Sequence, residues 1–289
     1  MKIELAWSRL RRKYLRIFRR GYVRRMAEKR QGDCPNCPHD IIDPRDLKYC
    51  RNVCNYWFHK RDDPFTWRDE LGIARAGLMD VFIWCFIFLV LSMVFAALAI
   101  AVSPYFWIPF SIPAFLYFFM FFFFRDPKRD IPKDANLLVS PADGKVTFIG
   151  EVPAPEFPGG RAVRVSIFLS IFNVHVNRVP AAGRVTNVRY FPGKFKNALR
   201  ASSAETNEQM WIDFDCGGKK IQVRQIAGAI ARKIVCMLKV GDTVAKGERF
   251  GMIKFGSRTD IYVPAQPAPG LLVKVGDRVK GGSTALMKL

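Results

Sequence analysis

The sequence predicts a mainly β fold of the α+β class, with a transmembrane helical hairpin ahead of a compact β domain. Three observations carry that prediction. Two long apolar runs, residues 79–102 and 106–124, lie in the first half of the 289-residue chain. After Pro132 the pattern changes to short β-branched and aromatic runs punctuated by glycines. Within that second part a turn motif occurs twice, as Val240-Gly241-Asp242-Thr243-Val244-Ala245-Lys246-Gly247 and as Val275-Gly276-Asp277-Arg278-Val279-Lys280-Gly281-Gly282.

The first element spans residues 1–31. Trp7, Leu10, Tyr14 and Ile17 recur at helical spacing among Arg9, Arg11, Arg12, Lys13, Arg16, Arg19 and Arg20. This is the pattern of a basic amphipathic helix lying on anionic headgroups. A solvated charged helix or a nucleic-acid arm fits the segment alone, and the apolar runs downstream favour the membrane surface. The balance of 46 Lys and Arg against 25 Asp and Glu, formally +21, suits the same partner. No nucleic acid is expected, because no recognition module or groove of stacking aromatics accompanies the charge.

Residues 32–60 are cysteine-rich. Cys34-x2-Cys37 and Cys50-x3-Cys54 have the spacing of a tetrahedral zinc site, with His39 and His59 as substitute ligands. Unrelated thiols in a polar linker are the alternative. So short a segment buries little core, and a metal would supply its folding energy. The odd total of seven cysteines, without a cleavable leader pattern, predicts a reducing compartment and not a secreted disulfide scaffold.

A linker, residues 61–78, leads to the hairpin at residues 79–124. A spanning helix needs about 20 apolar residues, and Ser103, Pro104 and Tyr105 leave only a tight turn between the runs. Arg61, Arg68 and Arg75 precede the hairpin, while Arg125, Lys128 and Arg129 follow it. The positive-inside rule then puts both ends in the cytoplasm, so the protein is expected in the cell membrane with its β domain on the cytoplasmic side. Pro109 and Pro113 predict a kinked or re-entrant second run.

Residues 125–289 form the remaining domain, with strands predicted at residues 162–169, 184–190, 211–214, 221–223 and 261–263. The repeated turn resembles those of lipoyl- and biotinyl-type β-sandwiches. That likeness opens a carrier reading with Lys288 as a modified lysine, although a carrier lysine belongs on a hairpin between the repeat halves and Lys288 lies outside it. Three stretches are richer in special residues than folding requires: Ser140-Pro141-Ala142-Asp143-Gly144, Phe172-Asn173-Val174-His175-Val176-Asn177-Arg178-Val179-Pro180, and Phe255-Gly256-Ser257-Arg258-Thr259-Asp260. Singly, each has an ordinary reading: a turn at Asp143-Gly144, a core histidine at His175, a loop at Gly256-Ser257.

In combination they give the chain a resemblance to the phosphatidylserine decarboxylase family, in its short form. The likeness includes Phe123-Phe124-Arg125-Asp126-Pro127, Ile131-Pro132, residues 140–146, Phe168-Leu169-Ser170 leading into His175, and Gly193-Lys194-Phe195 with Asn197-Ala198. It continues through Asn207-Glu208, Gln225-Ile226-Ala227-Gly228 with Ala231-Arg232, and residues 247–253 into Gly256-Ser257.

The resemblance implies a proenzyme that cuts itself between Gly256 and Ser257. Ser257 Oγ would attack the Gly256 carbonyl, and the new N-terminus would become a pyruvoyl group, a self-derived cofactor. Glycine before the serine permits a backbone that exposes the carbonyl. The serine needs a general base, which the family draws from a histidine oriented by an aspartate. Asp143 and His175 match those motifs. Longer relatives carry a second histidine where this chain has Arg178, and an arginine is no base, so His175 does both jobs or another group activates Ser257. A substrate amine would form a Schiff base with the pyruvoyl group, an electron sink for the departing carbon dioxide. Implied partners are a phospholipid substrate, phosphatidylserine or another serine lipid, and the protein's own cleaved chains as an obligate heterodimer.

Overall fold

The computed structural model describes residues 2–196, 206–228, 233–254 and 256–288. The chain forms two compact units: residues 65–128 are one, and residues 1–64 with 129–289 are the other.

The smaller unit is built on α3 (Leu78–Ala101) and α4 (Trp107–Phe123), which pack against each other. Both belong to helical stretches long and apolar enough to cross a membrane. At 1.5 Å per residue the 24 residues of α3 reach about 36 Å, more than the hydrocarbon thickness. α4 has only 17 residues, preceded by a tight 310 turn at Pro104–Phe106, and Pro113 lies inside it. Phe82, Phe86, Met93, Ile108, Ile112, Phe115 and Phe118 are all exposed, as suits lipid contact. The two ends of the hairpin are tied together. Ile73 bridges Arg125, Ala74 N–H donates to Phe124 O at 2.7 Å, and Asp126 N–H donates to Gly72 O at 2.7 Å. Gly77 is required at this closure, because a Cβ there would stand 2.0 Å from the Phe124 ring.

In the larger unit the basic N-terminal segment is two helices, α1 (Lys2–Phe18) and α2 (Arg20–Lys29), where one was expected. Arg19 leaves the helical region at φ −129°, ψ 43°. The faces of α1 are also used differently from the sequence reading. Arg11 reaches Asp43 and Asp46, and Arg12 reaches Asp46 at 3.2 Å. Trp7, Leu10, Tyr14 and Ile17 are turned outward, each about half exposed. Two arginines thus serve buried carboxylates, which is the way to keep Asp43 and Asp46 satisfied away from water.

The β domain has fourteen strands among the described residues: β1 (Leu137–Val139), β2 (Gly144–Pro153), β3 (Arg161–Leu169), β4 (Val176–Arg178), β5 (Gly183–Phe191), β6 (Gln209–Cys216), β7 (Lys219–Ala227), β8 (Ile234–Cys236), β9 (Thr243–Val244), β10 (Arg249–Ile253), β11 (Ser257–Pro264), β12 (Gly270–Leu271), β13 (Arg278–Val279) and β14 (Ala285–Lys288). Eight make one antiparallel sheet in the order β13-β2-β3-β11-β7-β6-β5-β9. Two smaller sheets run β4-β10-β8 and β1-β14-β12. The core between them is aliphatic and aromatic, with Leu138, Val146, Ile167, Ile212, Phe214, Val223, Phe250 and Ile261 buried together. Each such side chain contributes about 1.5–3 kcal/mol of transfer free energy.

From its centre outward the large sheet is palindromic: β11 matches β7, β3 matches β6, β2 matches β5, and β13 matches β9. The small sheets repeat the correspondence. It holds residue by residue. Gly144 pairs with Val279 as Gly183 pairs with Val244, and bulges follow Val146 and Val185. Gly276 N–H reaches Val146 O and Gly241 N–H reaches Val185 O, both at 2.8 Å. The repeated turn read from the sequence is therefore part of a larger duplication, which also relates Pro141-Ala142-Asp143-Gly144-Lys145-Val146-Thr147 to Pro180-Ala181-Ala182-Gly183-Arg184-Val185-Thr186. One half is β4–β10. The other is β1–β3 continued by β11–β14, so the first half is inserted into the second, and the chain passes between them at residues 170–175 and 254–256.

Candidate active site

The two crossings meet. Beyond β3 the chain turns sharply, with Ser170 N–H and Ser170 Oγ both donating to Asn173 Oδ1 at 2.9 and 2.8 Å. This local closure, favoured by asparagine in turns, brings in His175, which is fully buried. Its Nδ1 lies 2.8 Å from the Asn173 carbonyl oxygen, and its Nε2 accepts the Gly256 N–H at 3.1 Å. A carbonyl only accepts and an amide N–H only donates, so the ring is neutral, protonated on Nδ1, with its lone pair on Nε2. That lone pair is held one residue from the Gly256–Ser257 bond.

Gly256 has φ +69°, and apart from its chain neighbours no described residue comes within 4 Å of a Cβ position there. Its counterpart in the inserted half is Gly218, φ +82°, in the two-glycine turn between β6 and β7. The register fixes this equivalence, since Cys216 pairs with Lys219 as Leu169 pairs with Ser257. The Gly256–Ser257 step is thus the exit of a hairpin turn that has been opened to admit the other half. Ser257 begins β11, with Leu169 on one side and Ala227 on the other. It is fully buried, and its Oγ has no hydrogen-bond partner among the described residues. An unpaired buried hydroxyl costs roughly 1–3 kcal/mol, and such an orphan marks a position kept for something other than stability.

Asp143 is elsewhere in the hydrogen-bond pattern. Its carboxylate accepts from Arg129 at 2.9 and 2.8 Å and from Gly281 N–H at 2.7 Å, rather than from His175. The sequence reading used Arg129 only as a flanking charge. Arg178 is buried, and its guanidinium donates to Gly247 O at 3.1 Å. A further polar group escaped the sequence reading. Gln225 Nε2 donates to Asn177 Oδ1 at 2.8 Å, and Asn177 Nδ2 donates to Thr259 Oγ1 at 3.2 Å. All three are fully buried, and Thr259 lies on the face of β11 that carries Ser257. Their membership in separate motifs was visible; their meeting was not. Burial pushes the Cys236 thiol up to about 12 and the Cys216 thiol up to about 11, so neither is a nucleophile at neutral pH. Lys288 sits in β14, paired with Leu137 and Gly270 and not on a turn, which removes the basis of the carrier reading. Asn197-Ala198, Ala231-Arg232 and Phe255 lie outside the described residues.

In the N-terminal segment the sulfurs of Cys34, Cys37 and Cys54 lie within 4.8 Å of one another. Cys37 and Cys54 are disulfide-bonded, with Cα atoms 5.7 Å apart. Cys50 is buried in the same apolar cluster, and burial, with Asp46 and Cys34 adding to it, pushes its thiol up to about 11. Among the described residues no histidine joins the sulfur group, and His59 packs edge-on against Trp57 instead.

Comparison with known proteins places this chain in a class of carboxy-lyases. The chain belongs to the phosphatidylserine decarboxylase family, whose sequence model matches residues 116–287. It is 44% identical over 246 residues to the phosphatidylserine decarboxylase proenzyme of Rhodopirellula baltica, covering 84% of this chain and 98% of that one. It is 47% identical over 197 residues to the proenzyme of that name from Symbiobacterium thermophilum, covering 67% and 91%. A third, from Desulfotalea psychrophila, is 48% identical over 169 residues, covering 58% and 78%.

Proposed function

We propose that this chain is a membrane-anchored decarboxylase of phosphatidylserine, made active by cutting itself between Gly256 and Ser257. The observation that carries this is the buried, unpartnered Ser257 Oγ, directly after a left-handed glycine whose N–H is bound by the His175 lone pair.

His175 Nε2 first gives up the Gly256 N–H and then takes the Ser257 Oγ proton as Oγ adds to the Gly256 carbonyl carbon. The Gly256–Ser257 C–N bond then breaks, and the nitrogen takes that proton, leaving an ester. Loss of the Ser257 Cα proton expels the Gly256 carboxylate, and the resulting unsaturated end takes up water and releases ammonia. The residues fit a pyruvoyl group at position 257: a buried hydroxyl without a partner and open space beside Gly256. That group supplies an electron sink for a substrate whose amine is bound to it. His175, oriented by donating its Nδ1–H to Asn173 O, is the residue that protonates the carbon from Nε2 after carbon dioxide leaves. Asp143 acts as a positioning residue, fixing Arg129 and the Gly281 amide beside the Ser140–Gly144 turn.

The same reading includes the two domain halves as lipoyl- or biotinyl-type units. It also includes cleaved chains that stay together as a heterodimer, and a structural zinc on the N-terminal cysteines. The β domain lies on the cytoplasmic side of the cell membrane, where basic residues flank the hairpin. The outward Trp7, Leu10, Tyr14 and Ile17 face anionic lipid. Denaturing intact mass tests the core of the proposal: two chains, one ending at Gly256, are expected, with carbon dioxide released from phosphatidylserine. An active single chain would overturn it.

A further inference from the structure

The cysteine cluster lies in the same compact unit as the β domain and contacts it around β8 and the turn that follows. Lys239 Nζ donates to Cys54 O at 3.1 Å and to the Asn55 side chain, and Arg51 pairs with Asp242. Lys239 and Asp242 bracket the turn between β8 and β9, where Lys239 N–H donates to Asp242 Oδ2 at 2.8 Å. The residues making these contacts, 51, 54 and 55, lie within or next to the second cysteine pair. On the other side, β8 pairs with β10 through Cys236–Gly251 and Ile234–Ile253, and β10 ends three residues before Gly256 in sequence. A 310 turn at Pro44–Tyr49, just before Cys50, also packs on β8.

The sulfurs of Cys34, Cys37 and Cys54 group here, and Cys50 is buried in the same apolar cluster. One disulfide accounts for two of them and leaves Cys34 and Cys50 as buried thiols beside it. One tetrahedral ion accounts for all four: with Zn–S of about 2.3 Å, ligand sulfurs stand about 3.8 Å apart, close to the spacing of the Cys34, Cys37 and Cys54 sulfurs, and Cys50, whose Sγ donates to Asp46 O at 3.4 Å, would turn in as the fourth ligand. Among the described residues the surrounding apolar core is Ile41, Leu47 and the cysteines, with Tyr56 and Phe58 at its edge, a small core for a segment otherwise held by polar contacts from α1 and the end of α2. We infer that Cys34, Cys37, Cys50 and Cys54 bind one zinc ion as thiolates, and that the segment this ion folds clamps the β8–β9 turn and steadies the strand leading to the self-cleavage step. The clamp's role rests on the proposed cleavage; the metal site does not.

The full-length protein, purified in detergent with a thiol reductant and no chelator, should contain about one zinc per chain, the loading of one tetrahedral site. Cys34→Ser and Cys50→Ser should each remove at least nine-tenths of it. Stripping the wild-type protein with a chelator reads the same site without a substitution, and hydrogen exchange across residues 233–254 should then speed up at least tenfold while residues 161–169 stay unchanged. A zinc-free reduced protein, or a Cys37–Cys54 disulfide persisting in it, would overturn the metal site. Full zinc loss with unchanged exchange at residues 233–254 would overturn the clamp. Neither outcome depends on whether Ser257 becomes a pyruvoyl group.

Discussion

His175 Nε2 accepts the Gly256 backbone N–H at 3.1 Å, so the one buried imidazole of the β domain is bonded to the residue that precedes Ser257. The bond has two consequences: it orients the base, and it pins the glycine in its left-handed conformation.

His175→Ala removes both effects. Loss of a general base slows a reaction by roughly 100- to 10,000-fold, so the variant should stay uncut over hours in which wild type is fully processed. His175→Gln keeps an acceptor for the Gly256 N–H but no useful base, and should be equally uncut. Time-resolved denaturing mass reads both. Normal processing of the glutamine variant would show that His175 only positions.

Ser257→Ala should leave the chain intact and inactive with no loss of melting temperature, because the hydroxyl it removes is buried without a hydrogen-bond partner among the described residues. A large drop in melting temperature would mean that Oγ is part of the packing.

Gly256→Ala tests the backbone alone. Beyond its chain neighbours no described atom blocks the added methyl, yet φ is +69°, where an L-residue is strained by about 1–2 kcal/mol. If cleavage requires that conformation, processing should slow roughly 5- to 30-fold, by the conversion of 1.36 kcal/mol per factor of ten. Unchanged processing would show that the reactive conformation is not the left-handed one.

Asp143→Asn leaves the Arg129 guanidinium, whose side chain is 8% exposed, without its counter-charge. Breaking one side of a buried pair costs about 3–5 kcal/mol, so thermal stability should fall. Adding Arg129→Met should restore stability but not full processing, since Gly281 and the Ser140–Gly144 turn lose their fixed acceptor. Wild-type processing by the double variant would reduce Asp143 to a partner of Arg129.

Reporter fusions at residue 64 and at residue 129 should label the same side of the membrane, because the Ile73–Arg125 bridge closes the hairpin. Gly77→Leu should disrupt that closure and make the linker before α3 protease-sensitive in membrane vesicles. Opposite-side labelling would exclude the hairpin.

The helical hairpin was legible because membrane length and apolarity are local properties of sequence. The strands were legible at their centres, as at residues 261–263, but β11 runs from Ser257 to Pro264, because its first residues carry hydroxyls and charges that read as loop. Arg258 and Asp260 look like surface residues, yet they satisfy each other at 2.6 Å inside the domain. The inward turn of Arg11 and Arg12 depends on Asp43 and Asp46, more than thirty residues away, which helical periodicity does not register. The closeness of His175 to Gly256 follows from one half of the duplication being inserted into the other, and only half of that repeat was readable in the sequence.

A chain end is normally found at a protein's surface, where it frays. The proposed cut would create one at Ser257, at the head of a strand held by eight paired positions on β3 and six on β7. The new terminus could neither fray nor diffuse away, so a reactive group carried on it would have the positional fixity of an interior residue. The same feature makes assembly one-way. Two separated pieces would have to thread a middle strand into a finished sheet, a bimolecular event with no loop to hold the ends together, whereas the continuous precursor folds it in place. Heat or denaturant that separates the mature chains should therefore destroy the protein permanently under conditions from which the uncut Ser257→Ala chain recovers.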